Sequence, residues 1–181
     1  RIFSSSPRFQ PFPLDTSLEM RLLCFARDYF QREYRWEEKH IKTLVEDLTN
    51  TFLAAYTVGD KRPAVAGYQN YYLGPVVFSQ NPDEGKKSII DGRQRITSIT
   101  LFLIYLNHLQ KNQEVKVNIS DLIFSDNFGE LSFNMSDEDR EDCLEALFNE
   151  GNYTPTEDDN ETVINLVDRY EDIAESFPEF I

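Results

Sequence analysis

Lys87-Ser88-Ile89-Ile90-Asp91-Gly92-Arg93-Gln94-Arg95-Ile96-Thr97-Ser98 runs an apolar strand pattern into a glycine turn and straight into a helix. The pattern predicts a strand over 87–91, a turn at Asp91-Gly92-Arg93-Gln94-Arg95 and a helix over 96–111. That helix is apolar on nearly every side, so it is expected to be buried. A helix N-terminus carries unpaired N–H groups and the positive end of the helix dipole, which suits an anion. Gly92 permits a tight turn or a close backbone approach. Arg93 and Arg95 add forked positive charge matched to phosphate, and Thr97 and Ser98 are expected to add hydroxyls from the first turn. Asp91 supplies a carboxylate able to hold Mg²⁺ or orient a water. The turn lacks the spacing and the Gly-Lys-Ser/Thr end of a Walker A loop. A plain structural reading stands beside this one: Asp91 pairs with Arg95, and Thr97 is an ordinary helix cap.

Working outward, Tyr71 to Phe78 reads as a partner strand, with a hairpin loop at 81–85. Trp36 to Leu48 places Ile41, Leu44, Val45 and Leu48 on one face of an amphipathic helix. Before it, Phe25 to Arg35 is aromatic and extended, and Leu18 to Cys24 reads as a short helix capped by Thr16 or Ser17. Phe30-Gln31-Arg32-Glu33-Tyr34-Arg35-Trp36 interleaves aromatics with Gln and Arg, a pattern that stacks on a base and grips its phosphate. The structural alternative is a sheet-edge strand with core aromatics and Trp36 as a helix-entry staple. Residues 1–16 hold three prolines and no periodicity and read as an arm. Toward the C-terminus follow a second hairpin over 121–134, a helix capped by Ser136, an acidic loop over 152–160 and a last helix over 161–177.

The 181 residues, 40% hydrophobic and 13% aromatic, describe a globular chain. Its net charge of −14 is unevenly spread. From Asp126 onward 18 acidic residues face two basic ones, Arg140 and Arg169, a net of −16, whereas residues 1–125 carry +2. The acidic third reads as a solvated helical face, the alternative being an acidic docking surface. Cys24 and Cys143 sit at no metal or redox spacing, and a reducing cytoplasm is expected. With only His40 and His108, a His/Cys zinc site or a two-His metal hydrolase motif is excluded within the segment. No apolar run reaches the ~18–20 residues a membrane span needs. The chain begins without Met and without an apolar signal region, and is expected to be a piece of something longer.

Gln31-Arg32-x-Tyr34-x-Trp36, then Tyr72-Leu73-Gly74 with Val76-Val77, then Asp91-Gly92-x-Gln94-Arg95-x-Thr97 resembles the N-terminal domain of GmrSD-type modification-dependent restriction systems. Three motifs in order, over residues 17–111, carry the likeness. The family's Tyr before Gln is Phe30 here, which keeps stacking and loses a hydroxyl. Its first Gln after Asp-Gly is Arg93, which adds charge and puts turnover more in question than binding.

The resemblance implies an α+β fold: a ParB/sulfiredoxin-like small mixed sheet with helices over 17–120, followed by a mostly helical region over 121–181. It implies a site for a nucleoside triphosphate, GTP or ATP, with Mg²⁺ held by Asp91. In that reading Asp91 and Gln94 are catalytic, positioning the metal or the attacking water. Gln31, Arg32, Tyr34, Trp36, Gly92, Arg93, Arg95 and Thr97 bind the nucleotide. Expected partners are the nucleotide, modified DNA through the full-length protein, and further copies of the chain, with no membrane. Cutting would belong to a separate His-Asn-His-type nuclease domain, and no such motif is present in these residues. The competing functions are a non-catalytic DNA- or partner-binding module of ParB-like fold, which Arg93 favours slightly, and a purely structural domain.

Overall fold

The computed structural model describes residues 33–80, 87–114, 116–127, 130–133 and 138–177. The arm, the helix expected over 18–24, the loop at 81–85 and the Ser136 cap lie outside the described residues. Helix α1 (Glu38–Ala55) buries Ile41, Leu44 and Val45, the face its spacing predicts. His40 Nδ1 accepts the Glu37 backbone N–H at 3.0 Å, so one of the two histidines serves as a helix-capping group.

A long connection follows, with a 3-10 turn over Arg62–Gly67. The strand expected from Tyr71 begins only at Val77. Gly74 turns to φ +92, and Pro75 has no N–H to give a ladder. Strand β1 (Val77–Gln80) pairs antiparallel with β2 (Lys87–Asp91), Val77 opposite Asp91 and Phe78 opposite Ile89, with an irregularity between Val77 and Phe78.

Helix α2 (Arg93–Leu109) starts three residues earlier than the apolar pattern suggested. Burial all round is not what it achieves: only Thr97, Ser98, Leu101 and Ile104 are buried, while Phe102, Leu103, Tyr105 and Leu106 are partly covered. Among the described residues the longer helices that pack on α2 are those over Glu138–Glu150 and Glu161–Ser176, and they cover these side chains only in part. A short helix α3 (Ser120–Ile123) leads into β3 (Phe124–Asn127), which pairs antiparallel with β4 (Glu130–Phe133), the hairpin expected there. Helix α4 (Glu138–Glu150) and helix α5 (Glu161–Ser176) complete the chain. Asn160 caps α5, its Oδ1 accepting the Val163 N–H at 3.1 Å.

The architecture is mixed and mostly helical, in keeping with an α+β class. Among the described residues the strands make two separate antiparallel hairpins rather than one mixed sheet. One continuous core draws Tyr34, Val45, Leu101 and Ile104 together with Ile123, Phe133, Leu147, Leu166 and Ile173. Residues on both sides of position 120 therefore share that core. Helix α5 lies between α1 and α2, its Val163, Leu166, Val167, Tyr170 and Ile173 facing inward. Glu145, Glu157, Asp158, Asp168, Glu171 and Glu175 face water. No helix among the described residues is long and apolar enough to cross a membrane.

Two outcomes follow from these packings. Asn160→Ala removes the α5 cap and should lower stability by about 1 kcal/mol in urea denaturation. Burial pushes the Cys143 thiol up to about 12, so at neutral pH it stays protonated and unreactive. In a Cys24→Ser background, native protein should react with a thiol reagent only slowly, and at full rate once unfolded.

Candidate functional site

The turn after β2 is sterically tight. Gly92 is buried at φ +98, and a Cβ there would sit 3.0 Å from Val76 Cγ2 and 3.3 Å from Val76 Cα. Only glycine meets both conditions without strain. Its carbonyl accepts the Ile96 N–H at 3.0 Å, which opens α2 directly at the turn. Asp91 stands beside that helix end with its carboxylate 67% exposed.

Gln94 and Arg95, neighbours in the first turn of α2, reach in different directions. Gln94 grips the extended stretch before α1: its Oε1 accepts the Arg35 N–H at 2.8 Å and its Nε2 donates to the Glu33 carbonyl at 2.7 Å. Arg95 grips the stretch before β1, donating from Nη1 to the Leu73 carbonyl at 3.0 Å and from Nη2 to the Pro75 carbonyl at 2.6 Å. Arg95 Nη2 also meets Asp91 Oδ2 at 3.1 Å, the i,i+4 pair expected on the structural reading. Gly74 makes room for that guanidinium, since a Cβ there would lie 2.1 Å from Arg95 Nη1. The three motifs thus converge on α2.

Tyr34 is buried, its hydroxyl hydrogen-bonded to Ser98 Oγ at 2.8 Å. Burial first, only partly offset by that bond, holds its pKa well above the usual phenol value. Trp36 is half-buried, its ring 5.6 Å from the His40 ring. Gln31 and Arg32 lie outside the described residues. Because α2 starts at Arg93, Thr97 and Ser98 fall in its second turn, not the first, and both are buried. Ser98 Oγ donates to the Gln94 carbonyl at 3.0 Å. Thr97 lines a small pocket with Thr100, Phe133, Arg140 and Leu144. Two residues along a helix is a rotation of about 200°, so Thr97 and Arg95 point to nearly opposite sides. Arg93 is half-buried at the start of the helix.

Three residues of α5 also hold the first motif, and the sequence reading passed over them. Thr162 Oγ1 accepts the Tyr34 N–H at 3.3 Å, Asn165 Nδ2 donates to the Tyr34 carbonyl at 3.0 Å, and Arg169 Nη1 donates to the Trp36 carbonyl at 2.9 Å. Arg169 is further held by Asp172. A signal was present: Arg140 and Arg169 are the two basic residues of the acidic third, and both are withdrawn from water.

Among the described residues no group of three or more His, Cys, Asp or Glu side chains is placed to hold a metal ion. Asp91 is a single carboxylate, which fits Mg²⁺ only in the mode where nucleotide phosphates and waters fill the remaining positions. His108 donates from Nε2 to the Leu147 carbonyl at 2.8 Å, away from the turn.

The chain matches the sequence model of the GmrSD restriction endonuclease, N-terminal domain, over residues 17–181. It belongs to that family. A search of curated proteins returns no match. The match continues past residue 111, where the three motifs end, and takes in α5. In this GmrSD N-terminal domain the last helix is therefore within the family's span, as its bonds to Tyr34 and Trp36 require.

Gly92→Ala should destabilise the domain by about 1–3 kcal/mol, because it combines a left-handed backbone with a crowded Cβ. Val76→Ala in the same chain should relieve the crowding but not the backbone part. Urea denaturation of the single and double variants separates the two.

Proposed function

We propose that this GmrSD N-terminal domain is an NTP-binding and NTP-hydrolysing regulatory domain of a modification-dependent restriction or phage-defence protein, built on a ParB/sulfiredoxin-like fold. Its nucleotide is GTP or ATP carried with Mg²⁺, and modified DNA is met through the full-length protein. The carrying observation is the Gly92 turn: a glycine with no room for a Cβ, opening a helix N-terminus beside an exposed carboxylate. Phosphate would lie against the first N–H groups of α2, where the helix dipole favours negative charge. Arg93, the first residue of the helix, adds charge there.

Asp91 has the exposure needed to meet a phosphate-bound Mg²⁺, whose part would be to neutralise charge on the transferred phosphoryl group. Arg95 orients that carboxylate through the 3.1 Å pair and holds Leu73 and Pro75 at the same time. Of the two aromatics of the first motif, half-buried Trp36 would be the one to offer a ring to the base, with fully buried Tyr34 anchoring the stretch behind it through Ser98.

A second reading has a specific observation behind it. Both amide atoms of Gln94 and both Nη atoms of Arg95 already have protein partners, so the motif's polar side chains hold the fold rather than point at a ligand. That favours a module that binds nucleotide, DNA or a protein without turnover.

Calorimetry with GTP and ATP, alongside phosphate release, tests the two. Asp91→Ala should leave most triphosphate binding in place and abolish Mg²⁺-dependent release. Arg95→Ala should weaken binding by on the order of 1.5–3 kcal/mol, through loss of its charge-assisted bonds and loosening of the 73–75 stretch. Circular dichroism of each variant checks that the fold is kept, since removing one partner of the Asp91–Arg95 pair affects the other. Wild-type protein that binds nucleotide but never releases phosphate, even as the full chain with modified DNA, establishes the second reading.

A further inference from the structure

Residues 33–37 run extended without a sheet partner among the described residues. Their backbone groups are satisfied by side chains instead. Gln94 takes the Arg35 N–H and the Glu33 carbonyl from one side. From the other, Thr162, Asn165 and Arg169 take the Tyr34 N–H, the Tyr34 carbonyl and the Trp36 carbonyl. The strand that should complete this pairing is replaced by two helices offering side-chain amides, a hydroxyl and a guanidinium.

We infer that Gln94 and Asn165 are positioning residues: together they clamp the first motif between α2 and α5 and so set it against the Asp91–Gly92 turn. This inference rests on the proposed nucleotide site and assigns Gln94 a different task there from orienting water. An amide suits the task because one planar group offers an acceptor and a donor at the spacing of a backbone N–H and the carbonyl two residues before it. Asn165 lies 131 positions from Tyr34 and on a helix that carries none of the three motifs. The geometry of the site consequently depends on α5 being docked. Both amide atoms of Gln94 are taken up by backbone groups, so engaging a phosphate or water would require it to release two bonds.

Two near-isosteric variants test the clamp on the full chain. Gln94→Glu keeps an acceptor for the Arg35 N–H and sets a carboxylate oxygen against the Glu33 carbonyl. Asn165→Asp does the same against the Tyr34 carbonyl. Amide exchange followed without nucleotide should be faster at Tyr34 and Arg35 in Asn165→Asp than in wild type. Both variants should bind GTP or ATP about tenfold more weakly, the equivalent of one neutral hydrogen bond. The kcat of Asn165→Asp at saturation should stay within about twofold of wild type, because Asn165 lies on a helix that carries none of the three motifs. A fall in kcat at unchanged KM in Gln94→Glu overturns the inference and makes Gln94 a catalytic residue. A lowered unfolding midpoint with unchanged nucleotide affinity overturns it as well, leaving a purely structural bond. Wild-type protein that binds neither nucleotide overturns the underlying site and this inference with it, a result plainly different from variants that bind as wild type does.

Discussion

Two adjacent side chains, Gln94 and Arg95, carry the constraint on which the rest of the domain depends. Neither the 33–37 stretch nor the 73–75 stretch lies in a described strand, so no sheet ladder fixes their backbone N–H and C=O groups in place. Successive residues on a helix point about 100° apart, so one turn of α2 reaches both stretches at once. Gln94 satisfies the first and Arg95 the second. Shortening either side chain leaves carbonyls unmatched at the place where three segments distant in sequence meet. Gly92 and Gly74 are the steric counterpart of that arrangement. One lets β2 pass directly into α2 against Val76, and the other clears the volume that the Arg95 guanidinium occupies.

The acidic third of the chain has two faces with different physics. Glu145, Glu157, Asp158, Asp168, Glu171 and Glu175 are directed to water, where like charges are screened. Its apolar stripe on α5 fills the space between α1 and α2, with Leu166 and Ile173 fully buried. The few polar groups on the inward side are matched to the backbone of the first motif. Arg169 joins them at 14% side-chain exposure, with Asp172 and the Trp36 carbonyl as partners. A guanidinium in that position is tolerable because both its charge and its donors are met. Helix α5, expected in a helical region that follows the motif-bearing one, thus shares its core and its hydrogen bonds.

Much of the local structure was legible because it depends on neighbours along the chain. The spacing of Ile41, Leu44 and Val45 marks α1, and alternation followed by Asp91-Gly92 marks the end of β2. Misreadings arose where a side chain's surroundings come from far away. An all-round apolar helix reads as buried, yet Phe102 and Leu103 are only partly covered by the described residues. Thr97 and Arg95 sit two apart in the motif and look like members of one site, whereas helical rotation sends them to opposite sides. Thr162 and Asn165 carry no local mark at all, since a polar residue on a helix face is ordinary until its partner is known.

By itself the sequence determined the family, through three ordered motifs, and the elements whose periodicity is written locally. It also excluded a His/Cys zinc site and a two-His metal hydrolase motif within the segment, which holds only His40 and His108. Only the tertiary structure decided which motif residues answer to the backbone and which stand open to water. Asp91 and Arg95 are equally polar on paper; their surroundings leave the carboxylate two-thirds exposed and tie the guanidinium to two carbonyls. The physical reason is range. Propensity and periodicity act within a few residues, whereas the hydrogen bonds that define this site join positions 22, 61 and 131 apart, and their geometry exists only after the chain has closed on itself.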